Sequence, residues 1–347
     1  MFFSIQNLGI IKEANLEISK LTLISGKNGQ GKSFLVRMIY AILVSYRDFL
    51  NTQEIGNKHL QNSSLFIETL SAKLISIFQQ KYLSALVNNT AHKELKVKVD
   101  DFIKFSITKH SKDKIKLDTF TSTGMLYQEI SLIFLSSVLD IELALSNYKE
   151  YYKNHFGISD VYWDVLSRIR NIGVSPEPEL NHVYAKIAEI IDGKFEYSYQ
   201  HGGVFQSKGK AIDIKLSASG IKIFGLLQLL IERNILKKDA VLILEEPESH
   251  LHPFFSFKLI EVLFELKKAG VIVILVTHNV EIIRYIEYLI NTRQENLTEF
   301  TFALFEPVDN FTTLSQSKEI HKLQEIMQVL TKDYFNLIMQ EQKHFES

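Results

Sequence analysis

The segment that decides the fold is GKNGQGKS at residues 26–33, which consists of Gly26, Lys27, Asn28, Gly29, Gln30, Gly31, Lys32 and Ser33. It matches the pattern G-x-x-x-x-G-K-[ST], and it lies between two apolar segments, LTLIS before it and FLVRMIYAILV after it. A strand, a glycine-rich loop and a helix in this order are the context that the phosphate-binding form of the motif requires. A simple glycine turn is the alternative, and it leaves the flanking pattern unexplained.

Each residue type in this loop has a part in holding a phosphorylated ligand. Glycines let backbone N–H groups turn toward phosphate oxygens, and the start of the following helix favours negative charge. We expect Lys32 to reach the β- and γ-phosphates and the Ser33 hydroxyl to ligate Mg²⁺. The loop therefore predicts a phosphate site with an adjacent magnesium ion.

A second apolar run, AVLIL at residues 240–244, ends in the consecutive acids Glu245 and Glu246. A buried parallel strand delivers side chains in this way at its carboxyl edge. One acid can support the Mg²⁺ shell while the next orients or deprotonates an attacking water. Such acids also occur as mere negative charge at helix starts. The phosphate loop earlier in the chain favours the catalytic interpretation.

Two further candidate site segments lie at the end of a predicted strand and at the start of a predicted helix. His278 directly follows an apolar run at 271–276, the strand after the acid-bearing one, where a neutral imidazole can hydrogen-bond a γ-phosphate or a water. Ser219 and Gly220 begin a helix whose free N–H groups form an anion site, which can be offered to the nucleotide of a second molecule. The simpler interpretation of Ser219 is a helix N-cap.

The composition describes a folded protein and excludes several classes of site. Of 347 residues, 46% are hydrophobic and 23% are charged, as in an average soluble globular protein. There are no cysteines, which excludes disulfides, cysteine-based zinc sites and thiol nucleophiles. No apolar stretch spans a bilayer and the start does not resemble a signal peptide, so we expect a cytoplasmic protein without a membrane partner.

The formal charge of −1 is not that of a strongly basic nucleic-acid binder. One local segment keeps nucleic acid among the candidate partners, since residues 92–118 contain eight lysines against five acids. The lysines alternate with apolar residues, which favours the solvated face of an exposed strand pair over a phosphate-gripping surface.

The order of segments predicts an α/β fold with a mixed or parallel sheet and a helical insertion. Strands and helices alternate at both ends of the chain, whereas most of the middle has helical periodicity. We predict that residues 1–46 and 193–347 are the N-terminal and C-terminal parts of one domain. Residues 47–192 are predicted to form a largely helical insertion with a β-hairpin.

The loop GKNGQGKS, the Ser-Gly helix start, the run EEPESHLHP and the triplet THN, in that order, resemble the ABC-type ATPases. The likeness is to the branch of the structural-maintenance-of-chromosomes (SMC) and OLD-like proteins. It implies a P-loop ATPase head that binds ATP and Mg²⁺. It also implies that Glu245 is the magnesium-side Walker B acid, Glu246 the catalytic base and His278 the switch histidine. Ser219 and Gly220 would be the signature pair, and Ser33 the second protein group at the metal.

Three features depart from the family pattern. Glu245 stands where many members have Asp, and the signature reads Ala-Ser-Gly-Ile-Lys instead of the transporter-type Ser-Gly-Gly-Gln. A Q-loop glutamine is not assigned, because no candidate has a distinguishing sequence context.

The resemblance implies an ATP-hydrolysing enzyme that forms a homodimer or higher homo-oligomer through nucleotide. The 57 residues after position 290 leave no room for a Toprim nuclease domain, and no heptad array predicts a long coiled coil. We therefore expect control of a separately encoded effector, as in antiphage defence or toxin-like systems. Two alternatives are a DNA-end or repair clamp, and a nucleotide-gated regulatory module with little turnover.

Overall fold

The computed structural model describes residues 1–55, 63–88, 94–109, 114–121, 129–133, 159–170, 176–198, 202–249 and 251–345. The strands in these ranges are β1 Phe2–Leu8, β2 Ile11–Glu17, β3 Leu21–Ser25, β4 Glu94–Val99, β5 Ile103–Thr108, β6 Ile115–Phe120, β7 Ile130–Ile133, β8 Lys194–Ser198, β9 Gly202–Ser207, β10 Lys210–Asp213, β11 Val241–Glu245, β12 Ile272–Val276, β13 Phe300–Val308 and β14 Phe311–Ser317. The α-helices are α1 Lys32–Ile55, α2 Ser63–Phe78, α3 Asp160–Arg170, α4 Asn181–Ile191, α5 Ser219–Glu232, α6 Pro253–Lys268, α7 Val280–Thr292 and α8 His321–Phe345.

Eleven of these strands form one mixed sheet in the order β6-β5-β4-β1-β2-β14-β13-β3-β12-β11-β7. The part from β13 to β7 is parallel, and the part from β6 to β2 is antiparallel. Strands β8, β9 and β10 form a separate antiparallel sheet. The predicted α/β class with a mixed sheet is confirmed.

The parallel strands are buried on both faces, as their unbroken apolar sequences require. In β11, Leu242 and Leu244 pack on one side of the sheet, in the core that contains α5, α6 and α7. Val241 and Ile243 pack on the other side, in the core that contains α1 and α2. This alternation fixes the register of β11, because a shift by one residue would exchange the two faces.

The register aligns the carboxyl ends of three strands that carry candidate site residues. Glu245 of β11 pairs with Val276 of β12, and Val276 pairs in turn with Ile24 of β3. The segments that follow these strands therefore meet at one edge of the sheet, which is where open α/β sheets bind ligands.

The predicted insertion contributes both helices and strands. Strands β4, β5 and β6 continue the main sheet outward from β1, and β7 pairs with β11 at the opposite edge. Strand β7, Ile130–Ile133, lies within the predicted insertion, so the insertion supplies an edge strand of the main sheet. The insertion boundaries at 47 and 192 stay a prediction.

In the part of the chain that the structure describes, no helix combines the length and apolar character needed to cross a membrane.

Candidate active site

The P-loop, residues 26–33, turns between β3 and α1, and the Lys32 side chain folds back over it. The Lys32 Nζ donates hydrogen bonds to the carbonyls of Gly26 at 2.8 Å and Lys27 at 2.9 Å. Burial lowers the pKa of Lys32, and the nearby carboxylates of Glu246 and Glu245 oppose this effect. A buried cation held on loop carbonyls can move to phosphate oxygens when a nucleotide enters, and both arrangements satisfy its donors.

Two other loop residues, Gln30 and Lys27, form contacts that stabilise the loop conformation. The Gln30 side chain is buried and accepts a hydrogen bond from the Lys27 backbone N–H, while its carbonyl accepts one from the Thr312 hydroxyl at 2.8 Å. The Lys27 ammonium forms an ion pair with Asp333 of α8. Strand β14 and the C-terminal helix therefore support the P-loop from outside the motif.

The glycine at position 31 is required by both backbone conformation and space. Its φ is 98°, and a Cβ added there would lie 2.7 Å from Cγ1 of Ile11 in β2. Gly29 has a φ of 78°, but a Cβ there would have no neighbour within 4 Å.

We therefore expect Gly31→Ala to lower the free energy of unfolding by about 1–3 kcal/mol through strain alone, with a further loss from the contact with Ile11. Gly29→Ala carries the strain without the contact and is the matched control. Urea unfolding of both variants measures the difference. Equal midpoints would show that Ile11 does not press on the loop.

The candidate metal ligands Ser33 and Glu245 lie where α1 meets the end of β11. The Ser33 hydroxyl, on the first turn of α1, donates to the Oε1 of Glu245. The other oxygen, Oε2, is buried and has no hydrogen-bond partner among the described residues. Burial raises the pKa of Glu245, and the charge of Arg37, one helical turn beyond Ser33, opposes this effect. A hydroxyl beside a carboxylate with a spare buried oxygen fits a hard divalent cation such as Mg²⁺.

The next acid, Glu246, faces the candidate switch histidine. Its Oε1 lies 2.7 Å from Nδ1 of His278, and both side chains are partly exposed. Glu246 adopts a φ of 45°, in the left-handed region, and its backbone N–H donates to the carbonyl of Val276 at 2.8 Å. Non-glycine residues in this conformation store strain that the surrounding structure must hold, and they cluster at functional sites. The carboxylate and the imidazole are therefore presented together at the open edge of the sheet.

The candidate signature pair begins α5, but Ser219 does not cap it. The N-cap is Ala218, whose side chain makes no capping hydrogen bond. The interpretation of Ser219 as the N-cap was therefore wrong, because the helix already begins at Ser219, one residue earlier than that role requires. A Cβ added at Gly220 would meet Leu251 at 3.4 Å and Phe255 at 4.0 Å, so among the described residues its nearest neighbours belong to the α6 side and not to the P-loop.

Sequence reasoning missed a buried polar pair next to these residues. Glu248 accepts a hydrogen bond from the Thr277 hydroxyl, which links the segment after β11 to the segment after β12. The sequence signal is faint, since Glu248 reads as another helix-start acid and Thr277 as a strand terminus. Arg37 was also missed, although its four-residue spacing from Ser33 places both on one helix face.

The lysine-rich segment lies on β4, β5 and β6, far along the sheet order from β11. Lys96, Lys98 and Lys116 are exposed, and each pairs with a neighbouring acid, at 3.7 Å for Glu94, 2.9 Å for Asp101 and 3.4 Å for Asp118. These pairs reduce the positive charge that a phosphate backbone would meet. The solvated-face interpretation is favoured, and nucleic-acid binding stays a prediction.

A protein-family comparison matches the part of the chain that contains several of the candidate site residues. The family described as "AAA domain, putative AbiEii toxin, Type IV TA system" matches residues 207–284, which include Ser219, Gly220, Glu245, Glu246 and His278. No curated protein matches the chain.

Among solved structures, the chain is similar to an SMC head bound to the C-winged helix domain of ScpA, with 13% identity, coverage of 91% of this chain and 96% of that one, and a TM-score of 0.53. It is also similar to an SMC head with an extended coiled coil, bound to the C-terminal domain of ScpA, from Pyrococcus furiosus. That match has 12% identity, coverage of 94% and 98%, and a TM-score of 0.50. At this identity the likeness shows the fold. The predicted resemblance to ABC- and SMC-type ATPases is confirmed at the level of the fold.

Proposed function

We propose that this chain is an ATPase that binds ATP with Mg²⁺ at the P-loop, closes into a dimer around the nucleotide, and controls a separately encoded effector. The observation that carries the proposal is the convergence of four groups at one sheet edge. They are the Lys32 ammonium on the P-loop carbonyls, the Ser33–Glu245 pair, Glu246 and His278. A phosphate-facing cation, a metal position and an acid beside an imidazole are the parts that phosphoryl transfer to water needs.

In this mechanism each of the chain's own groups has one task. Lys32 would leave the loop carbonyls and bind the β- and γ-phosphate oxygens. Ser33 and Glu245 would hold Mg²⁺, which neutralises charge on the phosphates. Glu246 would accept the proton of the attacking water, and His278 would orient that water or bind the γ-phosphate. Because the transferred phosphoryl group carries charge on its three equatorial oxygens in the transition state, positioning and electrostatic stabilisation would supply most of the catalysis.

The start of α5, where the candidate signature pair Ser219 and Gly220 lies, supports a site that a second copy of the chain completes. The N-cap residue of α5 is Ala218, which supplies no capping oxygen, and the Ile221 N–H donates to the Ala218 carbonyl at 2.9 Å, so the backbone N–H groups of Ser219 and Gly220 are the candidates for binding an anion. Large apolar side chains near it are exposed, with Leu216 at 81% and Phe254 at 55%. Phe254 contacts Phe255, which lies beside Gly220. An exposed apolar margin around an anion site suits a surface that another molecule covers.

Mixing two inactive variants tests the composite site. Lys32→Ala destroys the P-loop, and Gly220→Asp places a negative charge where a γ-phosphate would dock. In an equal mixture about half the dimers contain both variants, and each of these has one intact site of two, so we expect up to about a quarter of wild-type activity. The measurement is phosphate release by each variant alone and by the mixture.

The structure supplies the control for this experiment. Position 220 has room for a Cβ at ordinary contact distance, so Gly220→Asp is expected to fold and to bind nucleotide as a monomer. Activity equal to the sum of the separate variants, with heterodimers shown to form, would contradict the shared site. Loss of nucleotide binding by Gly220→Asp alone would point to misfolding.

Control of an effector rests on the family description, which names a putative toxin and a type IV toxin–antitoxin system for that family. We propose a role of this kind, in antiphage defence or a toxin-like system in the cytoplasm. Copurification of the product of a neighbouring gene, in amounts that depend on ATP, is the measurement. Absence of any ATP-dependent partner would contradict it.

A further inference from the structure

A third acid after β11 is buried and tied to the strand that carries the candidate histidine. Glu248 is 8% exposed and Thr277 is 0% exposed. The Thr277 hydroxyl donates to Oε1 of Glu248, so one hydrogen bond joins the segments that follow β11 and β12. His278 comes directly after this threonine.

We propose that Glu248 is a positioning residue that acts through Thr277 to hold His278 against Glu246. The inference rests on the proposed function, in which Glu246 and His278 act on the attacking water. It assigns Glu248 a role through its hydrogen bond with Thr277 and not as a group that acts on the reacting atoms.

The residues on both sides of His278 are anchored, whereas its own ring is not buried. The Thr277 backbone N–H donates to the carbonyl of Ile24 at 3.1 Å, and its hydroxyl oxygen accepts from the Asn279 N–H at 2.9 Å. The Asn279 side chain caps α7 by accepting from the N–H groups of Glu281 and Ile282. The His278 side chain is 43% exposed. Its orientation therefore depends on the turn at 277–279, and that turn is closed by the Thr277 hydroxyl.

The burial of the Glu248 carboxyl indicates that its contact with Thr277 does more than fill space in the core. Burial raises the pKa of Glu248, and its Oε2 has no hydrogen-bond partner among the described residues. A buried carboxyl with an unsatisfied oxygen costs stability. An apolar residue would fill the same volume at lower cost, but it would leave the Thr277 hydroxyl without its acceptor.

The same segment reaches the signature helix. The Leu251 N–H donates to the Glu248 carbonyl at 2.9 Å, and the Leu251 side chain is the nearest neighbour of the Gly220 position. Glu248 therefore lies between the surface proposed to meet a second copy and the turn that carries His278. Contact of a second copy of the chain at Gly220 would therefore affect the orientation of His278 through Glu248.

Replacing Thr277 gives one variant that lacks the hydroxyl and one that keeps it. Thr277→Val removes both the donor to Glu248 and the acceptor of the Asn279 N–H with almost no change in shape, and Thr277→Ser retains both. Glu248→Ala removes only the first of these contacts and therefore isolates the role of Glu248. In the full-length protein with ATP and Mg²⁺, we expect Thr277→Val to lower kcat about tenfold with unchanged ATP binding, whereas Thr277→Ser keeps most of the activity. Glu248→Ala should behave like Thr277→Val. Equal activity of the valine and serine variants would overturn the proposal.

A double-mutant cycle separates positioning from a general structural effect. In a His278→Ala background, adding Glu248→Ala is expected to change kcat less than twofold, because the group that Glu248 positions is already gone. Independent, multiplying losses would mean that Glu248 does not act through His278, and would reject the proposal.

A readout without catalysis keeps the test valid if the proposed ATPase function fails. The imidazole resonances of His278, assigned by their loss in His278→Ala, should be the same in wild type and Thr277→Ser, and should shift or broaden in Thr277→Val. Unchanged resonances in Thr277→Val overturn the positioning role whether or not ATP is hydrolysed. Changed resonances in a protein without turnover would support the positioning role and refute only the ATPase.

Discussion

Replacement of Lys32 by alanine is expected to abolish ATP turnover and to leave the fold intact. The ammonium lies on the carbonyls of Gly26 and Lys27, at the loop where the phosphates are proposed to bind. Removing one preorganised group that stabilises transition-state charge typically costs about 10²–10³-fold in rate. Phosphate release and ATP binding should both fall.

The fold should survive for a physical reason. Burial lowers the pKa of Lys32, which means that the folded protein disfavours its charged form. Truncation therefore removes a desolvation penalty together with two hydrogen bonds, and alanine is the best helix former for the start of α1. Thermal unfolding of Lys32→Ala should match that of wild type.

Lys27→Ala is the matched control, because it removes a second cation from the same loop. The Lys27 ammonium pairs with Asp333 of α8 and is substantially exposed, so its loss should be much milder. Wild-type turnover by a stably folded Lys32→Ala protein would exclude the P-loop as the phosphate site.

The second large effect is expected for Glu246→Gln. Glutamine keeps the volume and can still hydrogen-bond Nδ1 of His278, but it cannot accept the proton of water. General-base catalysis contributes about 10²–10⁴-fold, so turnover should fall by that order while ATP stays bound. The nucleotide-bound dimer should accumulate, and size-exclusion chromatography with ATP and Mg²⁺ should show the larger species.

The backbone strain at position 246 is the same in the wild type and in Glu246→Gln, so it does not contribute to the difference in turnover. Glu246 has a φ of 45°, and glutamine meets the same steric limits there as glutamate. The control is Glu246→Gln combined with Lys32→Ala, which should stay monomeric because the P-loop no longer binds ATP. Normal hydrolysis together with an unchanged elution volume would refute Glu246 as the base.

The P-loop and the two acids were predictable because their signals are local. Residues 26–33 form a contiguous motif between apolar segments, and Glu245 and Glu246 end an apolar strand. Parallel strands present their carboxyl ends at one edge, and the sequence placed His278 at the end of the strand that follows the acid-bearing one, without predicting its contact with Glu246. The structure gives a separation of 2.7 Å between their side chains. The roles of these residues stay predictions.

The sequence alone determined the α/β class and the order of the motifs, because both follow from hydrophobic periodicity and contiguous residue types. Only the tertiary structure decided the insertion of β14 between β2 and β13, the support of Lys27 by Asp333, and the burial of Glu248 against Thr277. Such contacts join residues far apart in the chain. They depend on strand register and on which polar groups lose their water, and neither leaves a periodic signal in the sequence.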